Sequence, residues 1–83
     1  MKNDEWLMSQ ERKLRYELEE ARREYDRVES EINRTPRYPS YLKMNEADRL
    51  HMRLSNELAD ARSRVTDLEL RLSDVQQQLQ NRR

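Results

Sequence analysis

Two heptad runs, broken by Thr35-Pro36-Arg37-Tyr38-Pro39-Ser40, constrain this chain more than any other feature. The first carries Leu7, Leu14, Leu18, Ala21, Tyr25, Val28 and Ile32. The second carries Met44, Ala47, Leu54, Leu58, Ala61, Val65, Leu68, Leu72, Val75 and Leu79. From Leu14 onward the apolar steps alternate four and three, which is the signature of a coiled-coil seam. Proline lacks an amide hydrogen and biases the preceding residue away from the helical region, so the segment between the runs cannot continue a helix. The pattern predicts an all-α fold: a two-helix antiparallel coiled-coil hairpin forming a single unit over 1–83.

Composition agrees with a seam rather than a broad core. Charged residues are 41% of the chain and hydrophobic ones 34%, about what a narrow a/d stripe needs. The absence of glycine and phenylalanine argues against phosphate-cradling loops and a β-rich fold. The absence of cysteine excludes disulfides, thiol chemistry and cysteine-rich zinc sites, and is compatible with the expected cytoplasmic location. Basic and acidic residues balance at 17 each. Nucleic-acid binding draws on a basic excess, so Arg12-Lys13, Arg22-Arg23 and Arg82-Arg83 read as solvated helix faces and no nucleic-acid partner is expected. No apolar run approaches a membrane span, and no signal-peptide core is visible.

Helix 1 is expected at about 4–34 with Asn3 as its cap, the loop at 35–40, and helix 2 at about 41–81 with Ser40 as its cap. The seam takes Leu14, Leu18, Ala21, Tyr25, Val28 and Ile32 from the first helix. From the second it takes Leu54, Leu58, Ala61, Val65, Leu68 and Leu72, with Met44 and His51 also at a positions. The register centred on the loop sets Leu14 beside Val65, Leu18 beside Ala61, Ala21 beside Leu58, Tyr25 beside Leu54, and Val28 beside His51. It places large residues against small ones. It also sets Glu17 near Arg64, and the like-charged pairs Glu24–Glu57 and Arg15–Arg62 near one another. A parallel homodimer with a proline hinge and a domain-swapped antiparallel dimer use similar seams, so a homodimer stays open.

No constellation for catalysis, a cofactor or a metal is present. His51 is the sole histidine, and carboxylate pairs such as Glu19-Glu20 lie on solvated faces. His51 reads as a tolerated polar seam residue, or else as a pH-sensitive one. Glu11, also at an a position, reads as a wet end of the seam or a residue that fixes register. Apolar residues off the seam point to partners instead. Trp6, Met8 and Leu70 stand toward the open end of the hairpin, and Tyr38, Tyr41 and Leu50 toward the closed end, as candidate protein-binding residues.

The layout resembles the antiparallel coiled-coil finger of Rho-family effectors, the homology region 1 domain, and the version in F-BAR membrane-remodelling proteins looks nearest. There the first helix ends in a Thr/Asn-Pro step, similar to Thr35-Pro36, and a Ser-Leu-like pair opens the second, similar to Ser40-Tyr41-Leu42. The likeness covers most of the chain in layout and the loop in residues. It implies a partner in the form of a GTP-loaded Rho-family GTPase. The residues alone point to a non-enzymatic protein-interaction module of a cytoskeletal, trafficking or signalling scaffold, with homo-oligomerisation as the other reading.

Overall fold

A computed structural model describes the backbone of residues 2–81 and the side chains of 4–81. Helix α1 spans Lys2–Arg34 and α2 spans Met44–Gln80. Among the described residues there is no strand. The helices lie against each other along a rod 62 Å long and about 15 Å across. The seam is deepest where Leu14, Leu18, Ala21 and Leu68 form a buried cluster, with Val65, Leu72 and Val75 packed against it.

The ends differ from expectation. Helix α1 already includes Asn3, whose side chain lies outside the described residues, as does the Arg82-Arg83 cluster. It stops where proline requires: the Thr35 amide donates to Glu31 and Ile32 carbonyls at 3.1 and 3.2 Å, and the Thr35 hydroxyl donates to Glu31 O at 2.7 Å. Pro36 then has no amide hydrogen to extend the ladder.

Helix α2 begins at Met44, not Tyr41, and Ser40 does not cap it. The Leu42 amide donates to the Pro39 carbonyl at 3.1 Å, so Pro39 to Leu42 close a turn of their own. The cap is Lys43, in extended conformation. Its amide donates to the Glu46 carboxylate at 3.4 Å, and its carbonyl accepts from Ala47 N–H at 2.9 Å. An acid in the first turn faces the positive end of the helix dipole.

The register is also corrected. Leu68 joins Leu14, Leu18 and Ala21, where the loop-centred register calls for Ala61 and Leu58. The Arg22 guanidinium meets Glu69 at 3.4 Å. In the loop-centred register Glu69 would stand roughly 18 Å along the axis from Arg22, at ~1.5 Å per residue. Arg62 likewise donates to the Tyr25 hydroxyl at 3.4 Å. These contacts move the helices on by one heptad, about 10 Å. Leu18 comes level with Leu68, Leu14 with Leu72, Ala21 with Val65, Tyr25 with Ala61, Val28 with Leu58, and Ile32 with Leu54.

The physical reason is burial at both ends. The shift brings Leu79 level with Leu7, which is buried, so one more apolar layer is covered. It also removes His51 from the contact with Val28. The first two turns of α2 then project past the end of α1, and the loop lies along them. Ala47 is 0% exposed and Pro39 is buried. His51 Nε2 sits 2.9 Å from the Pro36 carbonyl. A carbonyl only accepts, so this nitrogen carries the hydrogen. Arg37 reaches Asp48 at 3.3 Å. Met44, expected in the seam beside Thr35, is 69% exposed because α1 has already ended at its level.

The charged faces follow the helical i, i+3 and i, i+4 spacing. Arg23 binds Glu19 and Glu20, and Arg27 binds Glu24 and Glu31. The register shift separates the pair Arg15–Arg62: Arg15 turns to Glu11 at 3.6 Å, and Arg62 to Tyr25. Glu24 and Glu57 do share one groove, but Arg27 lines it with them. Its hydrogen bond holds the Glu24 carboxyl below the usual glutamate range, against a smaller opposing effect of desolvation. A lowered folded-state pKa means that this contribution is present above the ordinary glutamate range and is lost as pH falls through the folded value. Carboxyl NMR titration should therefore find Glu24 below the ordinary range, returning to it in Arg27→Ala. An unchanged midpoint in that variant would show that the pair does not form in solution.

Candidate interaction surfaces

The six off-seam residues singled out from sequence fall into two unequal groups. Trp6, Met8 and Leu70 are exposed, yet they do not make one patch. In the observed register Leu70 is level with Tyr16, roughly 15 Å along the rod from Trp6. It sits at an f position, on the far side of α2 from α1. Isolated apolar residues of this kind are ordinary surface.

The closed end is different. Tyr38, Tyr41, Met44 and Met52 are exposed there, and Leu42 and Leu50 are half-buried beside them. The loop creates this concentration by lying on the first turns of α2. On one flank, Tyr41, Leu42 and Leu50 line a shallow groove of about 460 Å³, rimmed by Glu46, Arg49 and Arg53. On the other, Tyr38 and Met52 line a groove with His51 and Asp48, and Arg37 stacks 5.6 Å from the Tyr38 ring centre. Aromatic and methionine side chains ringed by arginine have the chemistry of a protein-binding hot spot. Met44 is expected in the seam from its a position and instead belongs to this end. The signal for it is the prolines, which set where α1 ends and hence which helix turns are left without a partner helix.

A second feature lies along the seam. In an antiparallel pair, d residues of both helices line one edge and a residues the other. The d edge is closed except at Val75, which is half-buried: Leu7, Leu14, Ala21 and Val28 of α1, and Ala47, Leu54, Ala61 and Leu68 of α2, are buried. The a edge is not. Tyr25, Ile32, Leu58, Val65, Leu72 and Leu79 are only half-buried, and Leu18 alone is covered. Leu58, Val65 and Leu72, expected at full seam depth, belong to this open edge. A heptad wheel gives a and d equal weight, so the tilt of the seam toward d was not readable in advance. Glu11 lies on the same edge, half-buried and paired with Arg15, near the end where α1 begins.

Among the described residues no group of His, Asp and Glu is placed to hold a metal ion. No described helix is long and apolar enough to cross a membrane. No family model, curated protein or solved structure matches this chain.

Proposed function

We propose that this chain is a non-enzymatic coiled-coil interaction module of a cytoplasmic cytoskeletal, trafficking or signalling scaffold, and that its closed end is the partner site. The concentration of Tyr38, Tyr41, Met44 and Met52 on the loop and first turns of α2 carries this reading. Elsewhere the rod is charged and its exposed apolar residues stand apart. The loop gives the site rigidity, because Pro36, Pro39, the His51 contact and the Arg37–Asp48 pair each restrict it. A preorganised tip loses less entropy on binding than a flexible one.

A photo-crosslinking amino acid at Tyr41 tests this in cells that make the protein. It should capture a discrete partner, while the same group at Ser63, on the exposed face of α2, should not. Equal capture from both positions would sink the reading. A Rho-family GTPase is the first partner to try, on the strength of the loop likeness. Binding should require the GTP-loaded form and should fall at least tenfold in Tyr38→Ala/Tyr41→Ala. Indifference to the nucleotide would remove the GTPase from consideration while leaving the closed end as a site for another protein.

A further inference from the structure

We infer that the open a edge is a self-association face, on which a second copy of the hairpin packs antiparallel to form a four-helix bundle. This face is distinct from the closed end. Its centre is the groove between Tyr25, Asp26 and Arg22 of α1 and Arg62, Val65 and Thr66 of α2. Beside the half-buried stripe, successive b positions of α2 are Ala59, Thr66 and Ser73, small and uncharged, whereas those of α1 are Arg12, Glu19 and Asp26. The two helices thus offer different surfaces, and each is complementary to itself.

Place a two-fold axis across the rod between Val65 and Thr66. On α2, Leu58 then lies opposite Ser73 of the second copy, Leu72 opposite its Ala59, and Arg62 opposite its Glu69. Large residues meet small ones, as close helix packing requires. The observed register carries the same axis through α1 between Glu20 and Ala21. There Arg12 meets Glu29 of the second copy, Arg15 meets its Asp26, and Glu19 meets its Arg22. All of these charge pairs are opposite in sign. The axis also falls near the middle of the rod, so the two copies overlap almost fully. A face 62 by 15 Å presents on the order of 900 Å², close to the ~800 Å² per partner of a standard interface.

The parallel arrangement does worse. It brings Arg15 near Glu69 but sets Arg22 within about 3 Å along the axis of Arg62, and it opposes Arg12, Glu19 and Asp26 to Ser73, Thr66 and Ala59. Charge therefore selects the antiparallel bundle, while burial of the apolar stripe drives it. The closed ends then point in opposite directions, roughly the 62 Å rod length apart, and the dimer is bivalent.

The test combines mass with geometry, on the full chain. Light scattering over a concentration series should approach twice the 10.3 kDa chain mass. Thr66→Cys should form an intermolecular disulfide rapidly on mild oxidation, because the two thiols are nearly level across the axis. Ser73→Cys, displaced by roughly 22 Å from its own copy, should not. Both substitutions are at exposed positions, and circular dichroism checks that helicity is kept. A concentration-independent monomer would overturn the inference. So would a dimer in which Ser73→Cys crosslinks as readily as Thr66→Cys, or in which neither does.

Discussion

Replacing Leu68 by alanine is expected to lower the unfolding free energy by about 2–5 kcal/mol. Leu68 is 4% exposed and sits where Leu14, Leu18 and Ala21 converge. A helix pair has few layers, and two rigid backbones cannot collapse into the space a lost side chain leaves. The cavity cost therefore adds to the transfer cost. Leu58→Ala should cost less, because Leu58 is half-buried on the open edge. The comparison is made by thermal or urea unfolding at one fixed protein concentration.

The same substitution reads the register. Leu18→Ala and Leu68→Ala should be non-additive in a double-mutant cycle, by about 0.5–3 kcal/mol, because the two side chains share a layer. Leu18→Ala and Leu58→Ala lie several layers apart and should add. Coupling of Leu18 to Leu58 rather than to Leu68 would favour the loop-centred register and remove the basis for the antiparallel bundle. An outcome at the low end for Leu68 alone would show a seam loose enough to repack.

This is where the sequence stopped being legible. Heptad spacing and two prolines specify two helices and their reversal, and Leu54, Ala61 and Leu68 follow from it as the face of α2 turned to α1. The same spacing is blind to a shift of seven residues, since every a then meets another d. What breaks the degeneracy is the end layers, where Leu79 gains Leu7, and the loop, which substitutes for α1 over Ala47. Neither appears in a pattern of apolar positions. The candidate site shows the same limit. Tyr38 and Tyr41 are conspicuous as aromatics in a proline loop, but Met44 looks like a seam residue until the end of α1 is located. Trp6 and Leu70 are as conspicuous in the sequence, yet the register parts them.

The second large effect concerns that loop seat. Ala47→Glu should destabilise the protein by about 2–4 kcal/mol, with the loss confined at first to the closed end. Ala47 is 0% exposed, and a carboxylate there must displace the loop or lose its hydration. An acid near the start of a helix is otherwise favourable, through the helix dipole, so propensity does not account for a loss of this size. Asn45→Glu, exposed two residues earlier, is the matching control and should be close to neutral. Hydrogen exchange locates the damage. Amides of the first two turns of α2 should lose protection well before those around Leu68, because only the loop covers them, while the deeper seam keeps α1 as its partner. If protection falls evenly along the rod, the loop is part of one cooperative unit with the seam. If it does not change, the loop does not sit on Ala47 in solution, and the grooves around Tyr38 and Tyr41 have no fixed shape for a partner to read. Crosslinking from Tyr41 in the Ala47→Glu background joins the two questions: a site that depends on the seated loop should lose its partner while the rod remains helical.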